Sequence, residues 1–425
     1  MRMNLVVMSG FLMAAVTLRV VAASSVVPET KKTPARPIGS IDRRHLVTPE
    51  QRLILEAQVQ AVLEAAKIRL ADGTTIYAPC GTFYRGLWPR DHEYVVEGAG
   101  DILKPNDLRA VSKLLILHQK TNGWVPIMIS PELTNFAYVN GGPKQETDAA
   151  QFFVKPVYQD FLRSKDAAFA SSALEPMKRA MDSTPRDEHG LVWIDPQRWH
   201  TGYGFTDGTG KSGQELFSSL LYWECCGYIA KMARAAGKEE YADDFTARAK
   251  LIEQHIDDLQ DKKTGLYFAA SRTCRQLDVW GNAYLVYVGF PDDARSLRIS
   301  RYLADHYDQF VYAGQVRHLF GNEYWERIVG GDCSPGIYQN GGYWGTASGW
   351  MAYSIAQVNP ALASRMFGDL IDYYLTNGPY ESVNDAVQHR RNKFYSACRR
   401  EFKRRLVAGT KGDSNLAALN ESVTP

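Results

Sequence analysis

The chain has 425 residues, of which 45% are hydrophobic and 23% charged, and its formal net charge is +2. This composition supports a large buried core and excludes a disordered protein, and the balanced charge excludes a protein that coats nucleic acid. Aromatic residues make up 12% of the chain, with 23 Tyr and 9 Trp. Rings in such number favour an aromatic-lined binding cleft.

The first 23 residues are typical of an export signal. Arg2 supplies a positive start, residues 5–18 are mostly apolar, and small residues at 21–23 suit cleavage. A membrane anchor is the less favoured alternative, because Arg19 interrupts a stretch shorter than the roughly 20 apolar residues of a spanning helix. We therefore predict an exported protein, secreted or periplasmic, without a stable membrane span.

Two further segments flank a predicted catalytic domain at residues 48–384. Residues 24–47 contain three prolines among basic residues and are predicted to form a linker. Residues 385–425 include a run, 388–405, with eight Lys or Arg and one Glu. We interpret this segment as a tail, with or without the last helix of the domain; binding of a polyanion is the alternative.

The six cysteines do not predict a metal centre. Export permits disulfides, but the spacing forces none, and no Cys-x-x-Cys pair is present. Cys225 and Cys226 lie in an apolar helical pattern and are expected to be buried thiols. We predict neither a metal nor a cofactor.

From residue 49 onward, apolar residues recur with a helical period of 3.6 and indicate about twelve helices with few strands. Long loops rich in Gly, aromatic and acidic residues alternate with short connections, as in a ring of helical hairpins that carries a cleft on one rim. We therefore predict an all-α (α/α)6 toroid. A helical solenoid is disfavoured, because no repeat of about 30 to 45 residues is present. The predicted helices cover 49–70, 91–103, 105–119, 147–163, 165–182, 208–236, 239–259, 278–288, 291–306, 346–356, 360–375 and 383–406.

Two helix starts combine aromatic, basic and acidic residues that suit a polyhydroxylated ligand. Trp88 offers a ring face to a sugar, while Arg90 and Asp91 can donate to and accept from neighbouring hydroxyls. Glu146 and Asp148 lead into a later helix and can bind hydroxyls in the same way. The structural alternative is that these acids only stabilise helix N-termini.

Asp207 lies in a loop that is rich in glycine and aromatic residues. Three glycines follow it within six residues, so the backbone can approach a ligand closely. Rings such as Tyr203 can exclude water and keep the carboxyl group protonated, as a general acid requires. The alternative is that Asp207 caps the following helix.

Two later loops and a turn complete the candidate site. Amide groups, an acid and aromatic rings in these loops can bind a sugar ring by hydrogen bonds and stacking, although a Trp beside Gly is also common in protein cores. Glu381 lies on a turn near the end of the domain, and a closed ring of helices would bring it towards Asp207. The loop candidates are Asp278, Trp280, Asn340, Tyr343 and Trp344.

These segments resemble the six-hairpin glycosidase group, which includes glucoamylases, trehalases and processing α-glucosidases, over residues 49–384. The sequence Trp88-Pro89-Arg90-Asp91 is similar to a Trp-x-Arg-Asp motif whose Arg and Asp hold sugar hydroxyls. Residues 142–148 resemble a Pro-Gln-Arg-Asp-Gly element, with Asp148 in the place of its acid. The resemblance implies that Asp207 is the general acid and Glu381 the general base; Glu323 and Glu326 are alternatives for the base.

The resemblance implies an exported glycoside hydrolase that cleaves a terminal bond, an α-glucoside, with inversion. Such a mechanism needs two carboxyl groups about 6.5 to 9.5 Å apart and no metal. One alternative is a polysaccharide lyase that uses Tyr203, His200 and Asn340. Another is a carbohydrate-binding protein without activity, which the unusual basic C-terminal segment favours.

Overall fold

The computed structural model describes seven segments of the chain: 46–79, 84–100, 102–138, 147–198, 202–331, 333–377 and 382–384. They contain eleven α-helices, which alternate between an outer and an inner layer. The outer helices are α1 (Pro49–Ala66), α3 (Pro105–Leu117), α5 (Ala167–Asp182), α7 (Glu239–His255), α9 (Asp293–Asp305) and α11 (Pro360–Asn377).

The inner helices follow the outer ones as the second members of helical hairpins. They pack in sequence, α2 on α4, α4 on α6, α6 on α8 and α8 on α10, and the outer helices α11 and α1 also contact each other. This is the arrangement of an (α/α)6 toroid. The inner helices are α2 (Pro89–Ala99), α4 (Ala149–Ser164), α6 (Leu216–Ala235), α8 (Val279–Tyr287) and α10 (Ser348–Ala356).

The hydrophobic pattern distinguishes some inner helices from outer ones. All nine residues of α10 are buried, whereas α7 buries only Ala242, Phe245 and Ile252 among its seventeen residues. A mostly apolar helix without charged residues can be surrounded by protein, and one with a single apolar stripe can face water. The pattern does not place α2, which carries five charged or histidine residues and still buries ten of its eleven residues.

Aromatic side chains fill the centre of the toroid. The Trp350 ring lies 5.9 Å from Tyr94, 5.6 Å from Phe217, 6.2 Å from Trp280 and 5.0 Å from Tyr284, measured between ring centroids. All five residues are nearly fully buried. Part of the aromatic excess that suggested a cleft therefore belongs to the core.

The connections carry short antiparallel strands. One four-stranded sheet has the order β10-β9-β8-β7, and the others are two-stranded pairs, β1-β2, β3-β4 and β5-β6. The strands are β1 (Lys67–Arg69), β2 (Thr75–Tyr77), β3 (Met128–Ile129), β4 (Phe136–Ala137), β5 (Trp193–Ile194), β6 (Gly213–Gln214), β7 (Val311–Tyr312), β8 (Gln315–Val316), β9 (Tyr343–Trp344) and β10 (Ser382–Val383).

Two predicted helix starts are wrong. The helix predicted from 208 begins at Leu216, because Gly213 takes a φ of +84° in the left-handed region and the Glu215 carboxylate caps the helix by accepting from the Ser218 N–H. The helix predicted from 383 does not begin there, because Val383 pairs with Tyr343 in the sheet. The other boundaries shift by a few residues.

Several predictions concern residues outside the described segments. They are the export signal, most of the linker, and the C-terminal segment 385–425, and all of them stay predictions. Within the described part of the chain, no helix is long and apolar enough to cross a membrane.

Candidate active site

The inner helices all begin at the same end of the toroid, since each follows an outer helix that runs in the opposite direction. The residues at these starts include Arg90, Asp148, Glu215 and Asp278. Helix N-termini carry partial positive charge and favour carboxylates. This end therefore gathers acidic groups that are far apart in sequence, and we call it the loop end.

A buried ion pair joins two of these starts. The Arg90 guanidinium donates to both carboxylate oxygens of Asp148, at 2.9 and 2.8 Å, and Asp148 also accepts from the Gly204 N–H at 2.9 Å. Arg90 is 8% exposed and Asp148 is not exposed. A Cβ at Gly204 would overlap the guanidinium, so a side chain there would displace Arg90 from its pair with Asp148. The pair holds the loop 202–211 against the barrel.

Tyr203 lies in the same buried layer. Its ring stacks on Phe217 with 3.9 Å between centroids, and its hydroxyl lies 2.9 Å from that of Tyr94. Burial raises the pKa of Tyr203 well above 10.0, so its phenol stays protonated. This disfavours the lyase alternative, in which Tyr203 would abstract a proton; His200 lies outside the described residues.

Asp207 differs from its neighbours because it is the one residue of 202–211 that is not buried. One carboxylate oxygen, Oδ1, accepts from Gln339 Nε2 at 2.8 Å, and the Gln339 side-chain oxygen accepts from the Gly208 N–H at 2.8 Å. Asp207 directly follows the short 3-10 helix Gly204–Thr206, and the cap of α6 is Glu215. The capping alternative for Asp207 is therefore wrong.

The sequence patterns did not predict two charged residues that follow Asp207 in the chain. Lys211 Nζ lies 2.6 Å from Glu215 Oε1, and both side chains are at most 1% exposed. Glu215 was not predicted as a site residue, because the helix predicted from residue 208 placed it within the helix and not at the helix start. Lys211 gave no signal beyond its position in a glycine-rich loop.

Asp278 lies close to this buried pair. It is 2% exposed, and its Oδ1 has no hydrogen-bond partner among the described residues. Burial raises the pKa of Asp278 to about 6, and the neighbouring Lys211 ammonium opposes that rise. Asp278 can therefore exchange a proton near neutral pH.

The later predicted residues are mostly interior. Trp280 stacks on His318 at 3.8 Å between ring centroids and meets Trp344 edge to face at 6.1 Å. Asn340 is 3% exposed, accepts from the Trp325 N–H at 2.6 Å and donates to a backbone carbonyl. Direct contact of these residues with a sugar stays a prediction.

Two of the remaining predicted residues lie nearer the surface. Trp88 and Tyr343 are half-buried, and the Tyr343 ring lies 5.8 Å from the Arg317 guanidinium. Asp91, in the first turn of α2, is buried to the same extent as Arg90. Trp88, Tyr343 and Asp207 are the predicted groups that retain most access to solvent.

Glu146 and Glu381 lie outside the described residues, so their roles stay predictions. The strand that follows Glu381 in sequence pairs with β9, and the Asn384 side chain accepts from the Tyr338 N–H at 3.0 Å. The alternative bases Glu323 and Glu326 are exposed, and Glu326 accepts from the Cys274 N–H at 2.8 Å.

One family model matches part of the chain. It describes the bacterial alpha-L-rhamnosidase six-hairpin glycosidase domain and matches residues 108–294, which run from α3 into α9 and include Asp148 and Asp207. No curated protein matches the chain.

Solved structures share the fold at low sequence identity. A rhamnosidase from Klebsiella oxytoca with rhamnose bound has a TM-score of 0.57 and 14% identity; the match covers 85% of this chain and 64% of that one. The chain thus spans less than two thirds of that rhamnosidase. A GH63 mannosylglycerate hydrolase from Thermus thermophilus in complex with glucose also has a TM-score of 0.57 and 14% identity, and the match covers 82% of this chain and 98% of that one.

An uncharacterized conserved protein from Thermus thermophilus has a TM-score of 0.56 and 14% identity, with 81% of this chain and 99% of that chain covered. The predicted (α/α)6 toroid is confirmed by these matches and by the family model. The family model over residues 108–294 and the shared fold of these solved structures thus support the resemblance to the six-hairpin glycosidase group.

Proposed function

We propose that this protein is a glycoside hydrolase that removes a terminal sugar, with Asp207 as the general acid. The observation that carries the proposal is the setting of Asp207. Its carboxyl group is the one partly exposed side chain in a buried loop, and it lies at the end of the toroid where the inner helices begin. A general acid needs such access to the leaving oxygen.

Gln339 would act as a positioning residue for this acid. Its amide group contacts both the Asp207 carboxylate and the next backbone N–H, so the orientation of the carboxyl group is fixed relative to its own loop. Fixed orientation lowers the cost of reaching the reactive geometry. Beneath it, the Arg90–Asp148 pair keeps the loop in place.

We further propose that Glu381 activates the attacking water and that the reaction inverts the anomeric centre. The support is the pairing of the following strand, Ser382–Val383, with Tyr343 and Trp344, beside the loop that carries Gln339. An inverting reaction would require the two carboxyl groups to be about 6.5 to 9.5 Å apart, with a water molecule between base and sugar.

The proposed substrate is a terminal α-glucoside, and a terminal α-L-rhamnoside is the second candidate. The glucoside follows from the motif around Trp88, and the rhamnoside from the matched rhamnosidase domain model. We propose that the half-buried rings of Trp88 and Tyr343 contact the sugar. The signal-like first 23 residues support an exported enzyme.

The test is hydrolysis of aryl α-glucosides, α-L-rhamnosides and α-mannosides by the purified chain. Asp207→Asn should lower kcat/KM by about 10²- to 10⁴-fold without loss of folding, because the leaving group is no longer protonated. Asp243→Asn is the matched control, since Asp243 is exposed on the outer helix α7.

Two outcomes would refute parts of this proposal. Sugar binding without turnover of any substrate would identify a carbohydrate-binding protein instead. Unchanged activity of Asp207→Asn would remove that residue from the mechanism. Proton NMR of the first product tests the stereochemistry, and retention of configuration would exclude the base role of Glu381.

A further inference from the structure

Two histidines and an aspartate meet at the loop end, on the connections that follow the outer helices α5 and α7. His189 belongs to the loop after α5, His255 is the last residue of α7, and Asp258 lies in the short 3-10 helix Ile256–Leu259. His189 Nδ1 is 2.6 Å from Asp258 Oδ2, and His255 Nδ1 is 4.0 Å from the same oxygen. The two imidazole rings are nearly parallel, with 4.0 Å between centroids.

Possible ligand atoms of the three side chains lie close together. Each side chain offers one ligand atom, and these atoms lie within 4.8 Å of one another. For both rings to point at one ion, the stacked imidazole rings would have to turn out of their parallel arrangement, with loss of the His189–Asp258 hydrogen bond. Neutral imidazole and carboxylate are ligands of Zn²⁺ and related divalent transition metals, and three protein ligands leave a position for water. We propose that His189, His255 and Asp258 bind one divalent transition-metal ion, with Zn²⁺ the best fit.

Neighbouring groups orient the donors. Gln214 Nε2 donates to Asp187 Oδ2 at 2.8 Å and to Asp258 Oδ2 at 3.3 Å. The other Asp187 oxygen accepts from the N–H groups of His189 and Leu191, at 3.1 and 3.0 Å, and so fixes the turn that carries His189. Outer hydrogen bonds of this kind hold ligands in a binding orientation.

A solvent-accessible entry path lies beside the cluster. A cavity of about 590 Å³ is lined by Asp187, Glu188, His189 and Gln214, together with Trp193 and Arg272. The cluster itself is partly exposed, so a hydrated ion can reach it. The spacing of these residues in the sequence does not predict the site, because His189 and Asp258 are 69 positions apart.

The bound ion would tie the loop after α5 to the end of α7. Metal binding to the folded chain alone stabilises it by mass action. The proposal does not depend on glycoside hydrolysis, and its test uses binding and stability rather than activity.

The experiment is a Zn²⁺ titration of the full chain, purified without a polyhistidine tag, followed by calorimetry and thermal unfolding. We expect one ion per chain and a higher Tm with Zn²⁺. His189→Ala and His255→Ala should each weaken binding by at least about tenfold, and so should Gln214→Leu, through the outer shell. His306→Ala is the matched control, because His306 is a half-buried histidine stacked on Tyr302.

Magnesium serves as a comparison ion, since its preference for oxygen ligands predicts weaker binding here. The proposal is overturned if Zn²⁺ does not bind, or if it binds equally to wild type and both histidine variants. An absence of binding would leave a histidine–aspartate ion pair as the role of this cluster. A melting curve of each variant without metal shows that it folds.

Discussion

The loop end and the barrel interior both bury carboxylates, but they neutralise them differently. At the loop end, Asp148 has its own arginine, and Glu215 lies at hydrogen-bond distance from Lys211, whose charge also acts on the neighbouring Asp278. About two turns further along the inner helices, several acids share one cation. We call that group, Glu93, Glu97, Lys155, Glu224 and Tyr284, the interior cluster.

The interior cluster centres on a fully buried lysine. Lys155 Nζ lies 2.7 Å from Glu224 Oε2 and 3.7 Å from Glu97 Oε2, and the Tyr284 hydroxyl donates to Glu224 at 2.7 Å. Neither carboxyl oxygen of Glu93 has a partner in the described part of the chain. Burial raises the pKa of Glu93 well above 4.5 and also raises the pKa of Glu97.

The two regions are expected to respond differently to pH. A cation at hydrogen-bond distance offsets the cost of burying a carboxylate, whereas burial raises the pKa of Glu93 and Glu97, which lie near the lysine that Glu224 also contacts. The loop end is therefore expected to depend on its ion pairs, and the interior on protonation.

The largest expected effect comes from breaking a loop-end pair. Arg90→Met should lower the free energy of unfolding by about 3–5 kcal/mol, because Asp148 is left as a buried, uncompensated charge. Urea denaturation measures the change. The double variant Arg90→Met/Asp148→Leu should recover part of the loss, and a double variant less stable than Arg90→Met would show that the charge is not the cause.

A somewhat smaller effect is expected from replacing Lys155, the cation of the interior cluster. Lys155→Met should lower the free energy of unfolding by about 3 kcal/mol at pH 7 and by less at pH 5, because the remaining carboxyl groups can take up protons. Denaturation at both pH values tests this. An equal loss at the two values would contradict shared protonation.

Replacing Glu93, whose carboxyl oxygens have no hydrogen-bond partner in the described part of the chain, should raise the free energy of unfolding. Because the pKa of Glu93 is raised in the folded state, the contribution of Glu93 to the free energy of unfolding is largest below about pH 4.5. That contribution is lost as the pH rises through the pKa of Glu93 in the folded state. Glu93→Gln should therefore raise the free energy of unfolding by about 1 kcal/mol at pH 8 and flatten its pH dependence. A variant that is less stable than wild type at pH 8 would refute this interpretation.

The smallest effect is expected at the surface. Lys178 lies 2.6 Å from Asp182 on α5, and both side chains are more than one third exposed. Lys178→Ala should change the free energy of unfolding by no more than about 0.5 kcal/mol, because water screens the pair. If Lys178→Ala lowered the free energy of unfolding as much as Arg90→Met, burial would not explain the different contributions of the two ion pairs.

The sequence predicted much of the fold and a smaller part of the site. The helical period placed most helices within a few residues, and the uncharged, mostly apolar sequence of α10 agrees with its inner position. The start of α6 was misplaced at residue 208, although residues 208–215 contain only Gly, Thr, Lys, Ser, Gln and Glu and carry no apolar period; Gly213 in this stretch takes a φ of +84°. That error concealed Glu215.

Local pattern by itself determined the hairpin architecture and drew attention to the loop of Asp207, because helix period, glycine content and ring content are properties of neighbouring residues. The packing of distant segments makes Arg90 and Asp148 a buried pair and brings Gln339 into contact with Asp207, 132 positions away in sequence. Burial and ion pairing depend on how distant segments approach each other, and a linear pattern carries no record of that distance.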